Sequence, residues 1–361
     1  MRIIIDLDGV ICKLKNPDQS YLEVDPNRDV IELMREWKDQ GHIILIYTAR
    51  HMRTCNGNVS EVIKKIGKIT EAWLSKWNVP YDELHYGKPY ADIYIDDLAL
   101  TYSSVKDIKT KFESLKLNFV IPMAGEGMRF KKEGFENPKY MIKINGQTLF
   151  EWALESLPLS IPNQIIFICL KEHEKNYKVS DFIKKIINTK YPNINYKIIL
   201  IPKITRGQTE TVLACKKYIN SNRPLIVYNI DTYFRSTRLK TKLLTIKNQG
   251  IDGILGVFNS NDPKLSFIQI TSDGFVKRTK EKQLISNIAS TGLYVFKRGS
   301  DFIRSAEYMI KNNIKTKNEF FIAELYNILI KEGKKFTVDF ADKFIPFGTP
   351  EDLKNFSNPR Q

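Results

Sequence analysis

Asn118-Phe119-Val120-Ile121-Pro122-Met123-Ala124-Gly125-Glu126-Gly127-Met128-Arg129-Phe130 opens on an apolar run, Asn118–Met123, with the length and composition of a buried strand. The run breaks into two glycines one residue apart, followed by an arginine. This is not a dinucleotide fingerprint, which needs a third glycine where Phe130 stands, and no Gly-Lys-Ser/Thr follows to make a P-loop. A glycine loop lets backbone N–H groups approach a polyphosphate, while Arg129 and the Lys139 of Pro138-Lys139 offset its charge. A strand ending in such a loop belongs at the start of an α/β domain.

The same alternation of β-branched runs and amphipathic stretches continues in both directions. Upstream, Ile3–Leu7, Ile43–Tyr47 and Ile93–Ile95 read as strands, and Val30–Gln40, Ser60–Trp77 and Lys106–Lys116 as helices. Downstream, strands fit Ile165–Leu170, Lys197–Ile201, Leu225–Ile230, Gly253–Phe258 and Gly292–Phe296. Helices fit Leu149–Leu157, Asp181–Asn188, Glu210–Ile219 and Phe320–Lys331. A chain of 361 residues has room for two such domains, and the second strand–loop series places their boundary near residue 117, giving 1–116 and 117–361.

Charge is unevenly divided between them. Lys+Arg 56 against Asp+Glu 41 leaves +15 overall. Residues 1–116 hold 17 basic and 18 acidic side chains, and residues 117–361 hold 39 and 23. The whole excess therefore sits on the second domain, where a polyphosphate is expected. Lysines are spread along every segment with no aromatic-interleaved basic stripe, so no nucleic-acid partner is expected. The scattered cysteines Cys12, Cys55, Cys169 and Cys215 form no CxxC pair and suit a reducing compartment. An acid at Asp6 interrupts any signal-like start, and no apolar run approaches the ~20 residues of a membrane span. A soluble, cytoplasmic chain without membrane insertion is expected.

The first domain carries its own constellation. Ile3–Leu7 runs into Asp6-Leu7-Asp8-Gly9-Val10, two acids one residue apart at the carboxyl edge of a strand, where open α/β sheets place ligands. Two acids so close imply a divalent cation or a shared proton. Thr48-Ala49-Arg50 ends the second strand, Gly87-Lys88-Pro89 supplies a lysine in a turn, and Ile93-Tyr94-Ile95-Asp96-Asp97 again ends in acids. In order and placement these four motifs resemble the haloacid-dehalogenase superfamily of phosphotransferases. The Thr-Ala-Arg-His-Met and Gly-Lys-Pro-Tyr-Ala-Asp stretches are similar to small phosphatase-like domains of capsule biosynthesis. The resemblance implies Asp6 as a nucleophile forming an aspartyl-phosphate, and Asp8 as acid and base. It implies Thr48, Arg50 and Lys88 at the phosphoryl group, and Mg²⁺ held by Asp6, Asp8, Asp96 and Asp97. The intervals between motifs are too short for a large cap, so an open site is expected.

The second domain resembles the sugar-phosphate nucleotidylyltransferases, whose signature runs G-x-G-x-R-F followed by P-K. Gly207-Gln208-Thr209-Glu210, Tyr228-Asn229-Ile230-Asp231, Glu281-Lys282, Ser290-Thr291-Gly292-Leu293-Tyr294 and Gly348-Thr349-Pro350-Glu351-Asp352-Leu353 match further segments in order. The resemblance implies catalytic Arg129 and Lys139, nucleotide contacts from Ala124, Gly125, Gly127 and Gln208, and sugar contacts from Glu281, Lys282, Thr291 and Gly292. It also implies one Mg²⁺ on Asp231. Two departures stand out: Tyr140-Met141 replaces the usual Pro-Leu after Pro-Lys, and Pro346-Phe347 stands where many members carry a second acidic metal ligand.

Together these features give two Rossmann-like α/β domains, a parallel sheet without a large cap followed by a mixed sheet. The implied activity is bifunctional: transfer of a nucleotidyl group from an NTP, with CTP favoured, to a sugar or polyol phosphate, and hydrolysis of a phosphate ester. It is the resemblance that favours CTP, through a short second domain without an acyltransferase-like repeat extension. Whether hydrolysis precedes or follows transfer is open at this level, as is a purely regulatory first domain.

Overall fold

Arg2–Asp6 (β1), Ile43–Thr48 (β2) and Glu83–Tyr86 (β3) pair in parallel in the order β1-β2-β3. This is the computed structural model of the chain, which describes residues 1–161 and 163–357. Helices α1 (Arg28–Asp39), α2 (Val59–Lys76) and α3 (Val105–Ser114) follow the three strands in turn. In α1 the buried residues Val30, Ile31, Leu33, Met34 and Trp37 recur at helical spacing, so one stripe faces the sheet. Contacts divide the chain into two units, Met1–Glu113 and a second beginning at Ser114.

The third strand is a correction to the expected one. It is Glu83–Tyr86, whose register Leu45↔Glu83 to Thr48↔Tyr86 fills the place beside β2. The Asp82 carboxylate accepts from the Ile44 N–H at 2.7 Å and anchors that strand's start. Ile93–Ile95 forms no strand; Ile93 is 77% exposed and Ile95 97%. An apolar run satisfies strand propensity, but backbone pairing is decided by which segment reaches the open edge.

The second unit begins with β4 (Leu117–Pro122) and α4 (Met128–Lys132), then the hairpin strands β5 (Lys143–Ile144) and β6 (Gln147–Thr148) and helix α5 (Leu149–Glu155). Next come β7 (Asn163–Leu170), α6 (Lys171–Tyr177), α7 (Val179–Lys190), β8 (Asn195–Ile201), α8 (Gln208–Leu213), α9 (Lys216–Ile219) and β9 (Leu225–Tyr228). β10 (Thr232–Arg235), α10 (Leu239–Thr245), β11 (Gly253–Asn259), β12 (Ser266–Ile270), β13 (Val276–Glu281) and β14 (Ile288–Phe296) follow. The chain closes with α11 (Gly299–Lys311), α12 (Ala323–Lys331), β15 (Phe336–Phe340), β16 (Lys343–Pro346) and α13 (Pro350–Ser357).

Among the described residues nine of these strands form one mixed sheet, ordered β13-β12-β14-β9-β4-β7-β8, with β11 pairing β14 and β15. β4 lies parallel to both β7 and β9, and its residues Leu117–Ile121 are buried throughout, which explains the unbroken apolar run. β14 pairs antiparallel with β9 through Leu293–Phe296 and touches β12 at Ala289, so one long strand joins the central sheet to the β12–β13 extension. The expected helix over 210–219 divides in two at Ala214–Cys215. There the backbone tightens to three-residue spacing, with Ala214 N–H on Thr211 O and Cys215 N–H on Val212 O, both 3.1 Å. All four cysteines are buried and free. No helix among the described residues is long and apolar enough to cross a membrane.

Candidate active site

The carboxyl ends of β4 and β9, adjacent parallel strands, lead into the glycine loop and into Asp231. After β4 the loop turns at Gly127 (φ 65°), whose left-handed conformation starts α4 and packs against Lys139. The Lys139 ammonium lies 2.6 Å from the Asp231 carboxylate, just beyond β9, and 5.4 Å from the Phe130 ring centroid. Burial pushes the Asp231 carboxyl upward, but the Lys139 charge and hydrogen bond, with Arg129 adding to them, outweigh it and hold its pKa below the usual carboxylate range. Arg129 itself is exposed on α4, and Ala124 is buried at the loop's start.

The departures from the family pattern are explained by packing. Tyr140 is buried, and its hydroxyl pairs with His173 Nδ1 at 2.9 Å, so it serves the core between β4 and the helices. Phe347 is fully buried against Phe130, Leu149 and Leu353, and its N–H donates to the Asp231 carbonyl at 2.8 Å. Phe347, directly after β16, thus takes a core position where the resemblance implies a metal-ligating acid.

A second set of loops flanks this centre. Gln208 donates to the Asn229 side-chain oxygen, and the Asn229 N–H donates to the Gly292 carbonyl at 3.1 Å. Gly292 (φ 84°) has no room for a side chain, since a Cβ there would stand 2.7 Å from the Asn229 amide nitrogen. Thr291 is fully buried with its hydroxyl toward Gly256 of β11, while its carbonyl accepts from the Thr232 hydroxyl at 3.0 Å. Glu281, at the end of β13, is buried and accepts from the Ser266 hydroxyl. Burial, then the Glu324 and Glu319 charges, raise its carboxyl pKa against the opposing pull of Ser266 and Lys282. Lys282 follows in a left-handed conformation (φ 52°), its ammonium 4.7 Å from the Phe321 ring centroid. Asn229, Phe320 and Phe321 were not among the expected site residues. Asn229 could have been found two positions before Asp231, whereas nothing in the aromatic pair distinguishes it from core.

In the first unit the carboxyl edge gathers Asp6, Asp8, Thr48, Arg50 and Lys88. Lys88 lies 2.5 Å from Asp6. Arg50 has a fully buried side chain and donates to both Asp8 oxygens, from Nε at 3.1 and 3.0 Å and from Nη2 at 2.9 Å. Its guanidinium also donates to Thr70 at 3.3 Å and lies 4.3 Å from the Tyr21 ring centroid. Buried Thr48 accepts from the Arg50 N–H at 3.1 Å. Arg50 thus spends its donors on Asp8 rather than presenting them to a phosphoryl group. Asp96 and Asp97 stand in the exposed irregular stretch, where Asp96 accepts from the Leu98 N–H at 2.7 Å. The structure does not bring them to Asp6, and with Asp8 gripped by Arg50 these carboxylates do not fit a shared Mg²⁺ site.

A family model described as Nucleotidyl transferase matches residues 119–358. The chain belongs to the nucleotidyl transferase family. The structure of a nucleoside-diphosphate-sugar pyrophosphorylase from Vibrio cholerae RC9 is similar at 29% identity and a TM-score of 0.57, covering 67% of this chain and all of that one. An inositol-1-phosphate CTP transferase from T. maritima covers 65% of this chain and 90% of its own length, at 15% identity and TM-score 0.52. A UDP-glucose pyrophosphorylase complexed with UDP-glucose covers 67% and 97%, at 18% identity and TM-score 0.54. The last two likenesses carry the fold alone. No curated protein matches the chain.

Within this nucleotidyl transferase the Gly207 loop is fitted closely against Phe320. Gly207 has φ 138°, and a Cβ there would stand 2.5 Å from the Phe320 nitrogen and 2.7 Å from its carbonyl oxygen. Gly207→Ala is expected to destabilise the second unit by about 1–3 kcal/mol and to raise the KM for NTP. Thermal unfolding and initial rates of pyrophosphate release check both; an unchanged NTP KM would remove the loop from the nucleotide site.

Proposed function

We propose that the second unit transfers a nucleotidyl group from an NTP, with CTP favoured, to a sugar or polyol phosphate and releases pyrophosphate. The convergence of the Gly127 loop, Lys139 and Asp231 at the ends of β4 and β9 carries this reading. The likeness to a nucleoside-diphosphate-sugar pyrophosphorylase, an inositol-1-phosphate CTP transferase and a UDP-glucose pyrophosphorylase supports it. The acceptor already carries its nucleophile. One of its phosphate oxygens bonds to the α-phosphorus, the bond from that phosphorus to the bridging oxygen breaks, and pyrophosphate leaves with the electron pair. Lys139 and Arg129 lower the energy of the charge that builds on the phosphates, and the glycine loop lets the chain backbone approach them.

An ionised carboxylate at a sheet edge fits a hard cation, so Asp231 would hold Mg²⁺. Among the described residues no group of three or more His, Cys, Asp or Glu side chains is arranged around a metal, so water and substrate phosphates would complete the shell. The ion would supply further charge neutralisation at the phosphates. Glu281, Lys282 and the Gly292 turn would face the acceptor, and Gln208, tied to Asn229, the base. The product is an activated sugar or polyol of the kind that a polysaccharide-building transferase consumes.

For the first unit, the meeting of Asp6, Lys88 and Thr48 at one sheet edge favours a second site handling a phosphate ester, with Asp6 as the nucleophile. One assay tests both readings: the protein and Mg²⁺ with each NTP and a panel of hexose, heptose and polyol phosphates, following pyrophosphate and free phosphate separately. Asp231→Asn is expected to abolish pyrophosphate release and Asp6→Asn phosphate release. Transfer is refuted if no pair yields pyrophosphate, and hydrolysis if Asp6→Asn still releases phosphate.

A further inference from the structure

The segment between α11 and α12 touches both ends of the transferase site. At its tip, Thr316 and Glu319 exchange backbone hydrogen bonds of 3.1 and 3.0 Å around Lys317 (φ 48°) and Asn318 (φ 67°). Two successive left-handed residues closed in this way make a tight hairpin turn of defined shape. The chain then enters Phe320, whose N–H donates to the Arg206 carbonyl at 2.9 Å and whose carbonyl accepts from the Thr209 N–H at 3.0 Å. Phe320 is thereby zipped onto the Gly207 loop, with its buried ring 5.1 Å from the Arg206 guanidinium.

Phe321, the next residue, serves the opposite end. Its half-buried ring underlies the Lys282 ammonium, whose side chain is 26% exposed and whose nearest carboxylate oxygen, on Glu281, is 4.0 Å away. Just beyond, the Glu281 N–H donates to Glu324 at 3.3 Å, and Thr279 and Asn327 exchange two hydrogen bonds of 2.9 Å. Residues 320–327 are therefore fastened to the Gly207 loop on one side and to the end of β13 on the other.

We propose that Phe321 is a positioning residue that sets where the Lys282 cation meets the phosphate of the acceptor, and that its link through Phe320 keeps this point in register with the nucleotide loop. The inference rests on Glu281–Lys282 being the acceptor side. A ring face holds an ammonium by its quadrupole without neutralising it, so the cation is oriented yet keeps its charge for an anion. A carboxylate in that place would orient Lys282 and cancel it.

The test uses the full-length protein with its lysines labelled by ¹³C-methylation, which retains their charge. Lys282→Arg assigns the resonance, and inorganic phosphate is the titrant. In the wild type the Lys282 signal is expected to be shifted upfield by the ring and to move on addition of phosphate. In Phe321→Leu, which keeps apolar volume, the upfield shift should vanish and the apparent phosphate affinity at Lys282 should fall on the order of five-fold. Phe321→Tyr should restore both. Equal affinity in the Leu variant, a Lys282 signal that ignores phosphate in the wild type, or an equal loss at the Lys139 signal would each overturn the proposal. Pyrophosphate release is scored separately: its absence with every acceptor overturns nucleotidyl transfer and leaves the Lys282 result to stand or fall alone.

Discussion

Replacing Lys139 with methionine is expected to slow pyrophosphate release by about two to three orders of magnitude, the usual loss when one preorganised donor to developing charge is removed. The ammonium is largely buried and already 2.6 Å from Asp231, so neither substrate has to recruit it from solvent. Methionine keeps the apolar stem beside Phe130 while deleting the charge, which separates electrostatics from packing. A pH effect should accompany the rate loss. The strongest influence on the Asp231 carboxyl is burial, which pushes its pKa up, and Lys139 is what reverses the sign. In the wild type the depressed folded pKa means that Asp231 contributes stability above the unfolded carboxyl range, about pH 4, and loses it as pH falls through the lower folded value. Without Lys139 burial dominates and the folded pKa rises above the unfolded value, so the acid limb of activity should move to higher pH. The Asp231 contribution to stability instead changes sign: it is present at low pH and lost as pH rises through the raised folded pKa. Rates and thermal unfolding across pH 4–8 decide the matter. An acid limb that stays in place would mean that Lys139 does not hold Asp231 ionised.

The parts of this site that sequence makes visible are those where chemistry and backbone geometry coincide. An apolar strand flanked on both sides by parallel neighbours has no polar face, so Leu117–Ile121 shows as a continuous run. The glycine loop after it and Asp231 after β9 announce themselves as a break in hydrophobicity followed by charge. Lys139 and Asp231 are 92 residues apart, and only the parallel pairing of β4 with β9 explains their contact. Strand β13 reads Val-Lys-Arg-Thr-Lys-Glu, with Lys277 and Arg278 exposed, and is hidden from a search for apolar alternation because its pattern slips at Val276 opposite Ile270. Helix α11 is absent from the expectations although Phe302, Ala306 and Met309 are buried at helical spacing. Ile93–Ile95 shows the converse error. Its β-branched residues satisfy local preference, yet Glu83–Tyr86, far more polar, takes the place beside β2. Phe320 and Phe321 were invisible for another reason: adjacent rings contact different cations, and no periodicity encodes that division.

Arg50→Leu is expected to destabilise the first unit by about 3–5 kcal/mol, the range found when one partner of a buried ion pair is removed. The Arg50 side chain is fully buried while Asp8 is 23% exposed, so some water can reach the abandoned carboxylate and the effect should fall toward the lower figure. The guanidinium does more than neutralise Asp8. It also donates to Thr70 and to Cys12 Sγ at 3.5 Å and underlies Tyr21, so leucine leaves several buried polar groups without a donor. The loss should appear as a lower unfolding temperature and faster amide exchange in β1 and β2, while pyrophosphate release by the second unit, whose core is its own, is retained. A double variant, Asp8→Asn with Arg50→Leu, separates charge from packing. If the penalty comes mainly from the uncompensated carboxylate, the double variant should be more stable than Arg50→Leu alone. If both are equally destabilised, the guanidinium acts through its contacts with Thr70, Cys12 and Tyr21. A change below 1 kcal/mol in Arg50→Leu would show that the Asp8–Arg50 pair does not hold the sheet edge together.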